Sequence, residues 1–381
     1  MKRRPGRSTL AIHGPPHARP VGTPSTTPIY QSSTFVNPIG SDEDVLYTRY
    51  GNNPNQLEVA RRYAALEGAE RALFVASGMA ATAMAHLAVL SPGDHLVASR
   101  WIYGGTRALF DTEFDRLGIS VTYVDPDHPR EWRRAIRKTT RAIFVEAVTN
   151  PLMRVIDLPA IAKVTRDRGL ALLVDSTFAS PVALRPIDHG ADIVITSATK
   201  YLGGHSDLIA GAVAGSASII DEVTRLMRVW GPSIDPHTAW LIERGMKTMS
   251  LRVERATENA GAIARWALTR PEFTAVHWPG LPDHPDHALA TRMLDGYGGL
   301  VGLVHRGGAA GAGRMLSKLR VIMHAPSLAG VESLISEPRL TSHKPLTAEE
   351  RAAVGIPDGF VRLSCGCENV EDLIEDLTDA L

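Results

Sequence analysis

One lysine, Lys200, stands in "ITSATKYLGGHSD" (residues 195–207), behind the hydroxyls of Ser197 and Thr199 and ahead of the Gly203–Gly204 pair. Hydroxyls can donate to phosphate oxygens, and glycines let a backbone approach a ligand closely. An amine beside an anion site is a candidate Schiff-base former, although a loop lysine taken alone more often snorkels into solvent.

One βα unit earlier, "LLVDSTF" ends an apolar run on Asp175. A carboxylate at that depth is costly unless a cation meets it, and a protonated pyridine nitrogen would do so; capping of the next helix is the plain alternative. Earlier still, "VASGMAA" sets Ser77, Gly78 and Met79 between an apolar run and an Ala-rich helical stretch. Free amides at such a helix N-terminus attract phosphate. An amine, an acid for a ring nitrogen and an anion cradle together describe pyridoxal 5′-phosphate chemistry.

These residues need a scaffold. From Arg71 to about Gly215, seven apolar runs ("ALFVAS", "HLVAS", "VTYVD", "AIFVEAV", "ALLVDS", "DIVITS", "AGAVAG") alternate with stretches of helical length. Short continuous apolar strands separated by helices predict a parallel sheet covered on both faces. Ligands of such sheets bind beyond the carboxyl ends of the strands, and Ser77, Glu146, Asp175 and Ser197 lie at or just past those ends.

Residues 1–60, rich in Pro, Ser, Thr and Asn, read as an extended arm. After Trp230, "DPHTAWLIERGMKTMSLRVERATENAGAIARWA" is a long helical stretch with apolar residues recurring at three and four positions. Strand-like runs at "EFTAVHW", "GLVGLVHR" and "GFVRLSCG", then an acidic terminal helix, predict a smaller α+β unit. The 381 residues exceed what one core usually serves, so the reading is an arm (1–60), a cofactor domain (61–245) and a C-terminal domain (246–381).

Lys plus Arg and Asp plus Glu balance at 41 each, which leaves no field to draw nucleic acid or an anionic membrane. The apolar window Ala72–Leu90 contains Ser77, Gly78, Thr82 and His86, and reads as strand, turn and helix, not a membrane span. The first residues lack the apolar core of a secretory signal, and the only cysteines are Cys365 and Cys367, awkwardly spaced for a disulfide; a cytoplasmic setting is expected. In "HWPGLPDHPDHALA", His277, Asp283, His284, Asp286 and His287 could be taken for a metal cluster, but proline-rich spacing does not fix ligand geometry and no metal is expected. A nicotinamide oxidoreductase would need a G-x-G-x-x-G turn, which neither "GYGGLVG" nor "GGAAGAG" supplies.

The ordered motifs "YTRYGNNPNQ", "SGMAA", "YGGT", "VEAVTNP", "VDSTFASP", "TSATKYLGGHSD", "SLAGVESLI" and "VRLSCGCENVEDLIEDL" resemble the pyridoxal-phosphate-dependent Cys/Met metabolism (transsulfuration) family, the cystathionine γ-lyase, cystathionine γ-synthase and methionine γ-lyase group. The resemblance implies an aspartate-aminotransferase-like (type I) α/β fold, with a mostly parallel sheet of seven strands, helices on both faces and an α+β C-terminal domain. It implies that Lys200 bonds the cofactor aldehyde, Asp175 pairs with the ring nitrogen and Tyr103 stacks on the ring. It further implies that Ser77, Gly78, Met79, Ser197, Thr199 and Thr177 bind the cofactor, with Tyr47 and Arg49 reaching in from a neighbouring subunit. Arg362, Asn150 and Ser327 would take the substrate carboxylate.

The activity implied is C–S elimination from cystathionine or a methionine-type amino acid, through a Schiff base and a carbanion, with γ-replacement on an O-acylhomoserine as the alternative. A homotetramer built from dimers with shared sites is the expected assembly, with small amino acids as its partners. Four departures bear on specificity: Ser176 where an Asn is common, Ala329 in place of a Gly, Pro326 where many relatives carry a Glu, and Gly105 where many methionine γ-lyases carry a Cys.

Overall fold

The computed structural model describes residues 5–17, 20–40, 45–344 and 347–381. Seven strands form the larger sheet: β1 (Arg71–Val75), β2 (His95–Ser99), β3 (Ser120–Val124), β4 (Thr140–Glu146), β5 (Ala171–Asp175), β6 (Ile193–Ser197) and β7 (Gly211–Gly215). Their order is β1-β7-β6-β5-β4-β2-β3, and β7 alone runs antiparallel to its neighbours β1 and β6.

Successive side chains alternate between two cores, as the two-residue period of a strand requires. Leu172, Val174 and Val194 pack with Val59, Tyr63 and Leu66 of the helix Pro54–Glu67. Leu173, Ile193 and Ile195 pack on the other face with Ala81, Met84, Phe110 and Phe114. Burial on both faces explains why these strands are continuous apolar runs.

A second sheet follows: β8 (Phe273–His277), β9 (Leu300–His305), β10 (Met323–His324), β11 (Leu334–Ser336) and β12 (Phe360–Ser364), in the order β10-β11-β12-β9-β8. Only the β10–β11 pair is parallel. This sheet buries Val301, Leu303, Val361 and Leu363 against the helices Met249–Ala267 and Val370–Ala380.

One sequence expectation is corrected and another sharpened. The first 60 residues are not wholly extended, because Arg7–His13 is a helix that buries Leu10 and Ala11, and Pro54–Glu67 begins inside them. Asn53 starts the latter with a capping box, its side chain accepting the Asn55 amide while Gln56 accepts the Asn53 amide, and Pro54 occupies the first turn. The long helical stretch after Trp230 is two helices, Pro236–Met246 and Met249–Ala267. At Gly245, near the end of the first, a side chain would overlap the carbonyls of Leu202 and Gly203, so that helix packs directly behind the lysine loop. No described helix is long and apolar enough to cross a membrane.

Candidate active site

A cavity of about 440 Å³ opens at the carboxyl ends of the parallel strands and is closed on one side by the second sheet. Ser77, Gly78 and Met79 line it after β1, Tyr103 after β2, Asp175 and Thr177 at the end of β5, and Ser197, Thr199 and Lys200 at the end of β6. Asn150, Ser327 and Arg362 line it as well. Tyr47 and Arg49 do not: they sit by the helix Ala217–Trp230, where Arg49 Nη1 donates to the Arg228 carbonyl at 2.6 Å.

Lys200 leaves β6 through a tight turn in which its amide donates to the Ser197 carbonyl at 3.1 Å. Its Nζ donates to Ser327 Oγ at 2.7 Å. Burial, and then the charge of Arg362, push the amine down to about 8. The glycine pair serves packing more than ligand approach: Gly204 has φ +74° and any side chain on it would collide with the Arg252 guanidinium.

The anion cradle is narrow. Ser77 caps the helix Gly78–Leu87 by accepting the Ala80 amide, and a Cβ on Gly78 would lie 2.8 Å from that of Ser197. Thr199 Oγ1 is tied to the Ala210 amide and carbonyl, and Thr177 Oγ1 accepts the Ser197 amide at 2.9 Å.

Asp175 and Glu146 are register partners at the ends of adjacent strands; Glu146 is buried, and Asp175 is half-buried at the cavity wall. Desolvation raises both, Glu146 to about 8 with the neighbouring Asp175 as the next cause. Among the described residues, only hydrogen bonds offset this: Thr177 donates to Asp175, and the Tyr103 and Asn150 amides donate to Glu146 at 2.5 and 3.0 Å.

Arg362 lies in the middle strand of the second sheet, where Nη1 donates to Asn150 Oδ1 at 2.8 Å and Nη2 to the Ser327 carbonyl at 2.9 Å. Its Nε is buried with no partner among the described residues. Ser327 and Ala329 adopt φ +102° and +64°, conformations that favour glycine, so the loop that meets both Lys200 and Arg362 is strained.

Sequence reasoning placed Glu146 at a strand end but gave it no role; two acids closing consecutive strands was the signal available. Ser176, the residue in place of Asn, has a buried hydroxyl with no partner among the described residues. A Cβ on Gly105 would come 2.5 Å from Tyr103 Cε1, so a larger residue there would displace that ring. Cys365 is buried and Cys367 half-buried, both as free thiols. In the His/Pro segment, Asp286 pairs with Arg154 at 2.6 Å, and no group of three or more metal-ligating side chains is gathered among the described residues.

The residues suit pyridoxal 5′-phosphate on physical grounds. Asp175 stands at the cavity wall without a cation, which a ring nitrogen would provide, and the N-terminus of the helix Gly78–Leu87 lines the same cavity beside the hydroxyls of Ser197 and Thr199. The sheet order, with the lysine after β6 and the acid closing β5, defines a type I pyridoxal-phosphate enzyme.

Comparison with known proteins narrows the class. The chain belongs to the Cys/Met metabolism PLP-dependent enzyme family, whose pattern it matches over residues 8–381. It is 39% identical over 390 residues to L-methionine gamma-lyase of Porphyromonas gingivalis, covering 99% of this chain and 97% of the relative. It is 40% identical over 379 residues to cystathionine gamma-synthase of Mycobacterium tuberculosis, with the same coverages. The crystal structure of cystathionine gamma synthase from Xanthomonas oryzae pv. oryzae superposes with a TM-score of 0.95 at 35% identity, over 99% of this chain and 98% of that one.

Proposed function

We propose that this pyridoxal-phosphate enzyme eliminates a sulfur substituent from the γ-carbon of a methionine-type amino acid. The observation that carries this preference is the charge distribution of the cavity. Its charged lining residues are Glu146, Asp175, Lys200 and Arg362; the substrate loop contributes Pro326 and Leu328, and Ile209 adds another apolar side chain. A substrate with a second charged end gains no ion pair at that loop, whereas an uncharged thioether loses nothing there.

In this reading Gly78, Met79, Ser77, Ser197 and Thr199 hold the cofactor phosphate, Asp175 and Thr177 its ring edge, and Tyr103 its face. Bound there, the cofactor supplies an electron sink for the charge left when a proton leaves the α-carbon. Arg362 holds the α-carboxylate with its guanidinium, steadied by Asn150 and the Ser327 carbonyl. Lys200 Nζ, pushed down to about 8, is part neutral near physiological pH and takes and returns the proton. Ser327 Oγ aims that amine.

γ-Replacement on an O-acylhomoserine is the second reading, favoured by the 40% identity to a cystathionine gamma-synthase. Incubation with methionine, with cystathionine, and with O-succinylhomoserine plus cysteine separates the two. Keto acid and methanethiol from methionine are expected; cystathionine as the sole product from the third mixture would overturn the elimination reading.

We assign residues 1–60, 61–245 and 246–381 to an arm, a cofactor domain and a C-terminal domain, and the working form to a cytoplasmic homotetramer in which Tyr47 and Arg49 complete a neighbour's site. That neither residue lines its own chain's cavity supports the shared site.

A further inference from the structure

Glu146 touches two loops at once. One oxygen accepts the amide of Tyr103, 43 positions earlier, and the other the amide of Asn150, four positions later. The first loop carries the ring that faces the cofactor cradle. The second carries the side-chain oxygen that receives Arg362 Nη1. Glu146 also lies beside Asp175 on the adjacent strand. No other described carboxylate joins these parts.

We propose that Glu146 is a positioning residue that couples cofactor occupancy to the substrate-carboxylate site, by holding the Tyr103 and Asn150 amides in one grip whose strength depends on what stands next to Asp175. The argument is electrostatic. Two neighbouring buried carboxylates cannot both ionise cheaply, and without a cation the pair retains a proton. A positive ring nitrogen against Asp175 removes that conflict. Glu146 is then free to be a full carboxylate, and its two amide contacts become charge-assisted and stronger. Coupling of this kind is reciprocal, so a carboxylate substrate on Arg362 and Asn150 tightens the cofactor.

The groups facing Glu146 are few: Asp175 from β5, the amides of Tyr103 and Asn150, and across the same cavity Lys200 and Arg362. Neither cation makes an ion pair with Glu146, so Asp175 is the charge that governs it.

The proposal rests on the cofactor reading above, and amide hydrogen exchange tests the two separately. Full-length wild type and Glu146→Gln are compared with and without pyridoxal 5′-phosphate, with loading followed by visible absorbance. In wild type, loading should slow exchange about tenfold or more at Tyr103 and Asn150, and also at Gly78 and Met79. In Glu146→Gln, slowing at Gly78 and Met79 should persist while that at Tyr103 or Asn150 is lost, because one acceptor oxygen remains for two amides, with KM for the amino acid raised more than kcat is lowered. Glu146→Asp, which keeps the charge but reaches only one amide, should lose the effect at one loop and keep it at the other. Equal slowing at both Tyr103 and Asn150 in wild type and both variants would overturn the proposal. Absence of slowing at Gly78 and Met79 in wild type would overturn the cofactor reading and the proposal with it.

Discussion

Lys200 Nζ and Ser327 Oγ are 2.7 Å apart although 127 positions separate them in the chain. The contact joins the two sheets, because Lys200 follows β6 and the Ser327 carbonyl is held by Arg362 of β12. One strained residue therefore touches both the amine proposed to move a proton and the guanidinium proposed to hold the substrate. Ser327→Ala removes only the hydroxyl and leaves the carbonyl contact. It should preserve the fold and cofactor capture while lowering kcat/KM about tenfold to a hundredfold, the range for one hydrogen bond to a charged group. Steady-state kinetics at saturating cofactor checks this, and an unchanged kcat/KM would show the hydroxyl to be idle.

The depressed Lys200 gives a pH signature. Its ordinary value is 10.5, and in the folded, cofactor-free protein it is pushed down to about 8. The neutral amine is the form that attacks an aldehyde, so the rate of cofactor capture should rise with pH and level off above about 8. The linkage has the matching sign: between about 8 and 10.5 the unfolded chain binds more protons at this site, so its contribution to stability grows with pH across that window. Stopped-flow absorbance between pH 6.5 and 9.5 measures the midpoint. Lys200→Ala should fold normally, as seen by circular dichroism, yet show neither the visible band nor turnover.

Arg362→Lys keeps a charge but not the fork. The guanidinium donates to Asn150 and to the Ser327 carbonyl at once, whereas a lysine offers a single point of attachment. KM for the amino acid should rise about a hundredfold with a smaller fall in kcat, and cofactor affinity should change little. Substrate titration of the loaded enzyme reads this directly; an unchanged KM would remove Arg362 from carboxylate binding.

The strands were legible because burial on both faces leaves an uninterrupted apolar mark, as in "LLVD" and "IVIT". Residues at their carboxyl ends could be located for the same reason. What the chain hid was of three kinds. The strands β10 and β11 have two and three residues, too short for any period, and the helix Arg7–His13 owes its place to burial of Leu10 and Ala11 in a core built elsewhere. The Glu146 contacts were illegible because both partners are backbone amides, which every residue has. The break after Met246 was hidden by apolar spacing that continues through Lys247 and Thr248; Gly245, needed against the lysine loop, was its only local mark.

Tyr47 and Arg49 supply the test of assembly. Arg49 lies over the rings of Tyr47 and Tyr50, at 5.6 and 5.0 Å from their centroids, and holds the Arg228 carbonyl, away from its own chain's cavity. If it completes a neighbour's phosphate cradle, Arg49→Ala should bind the cofactor about tenfold or more weakly, the loss of a charge-assisted contact. Complementation then distinguishes a shared site from a remote structural effect. An Arg49→Ala chain keeps Lys200, a Lys200→Ala chain keeps Arg49, and a dimer of the two contains one site with both groups intact. After dissociation and random reassembly at limiting cofactor, half the dimers are mixed and each carries one good site of two, so activity should recover to about a quarter of wild type. Each variant reassembled alone should remain near its own baseline. A mixture no more active than the sum of its parts would confine each site to a single chain.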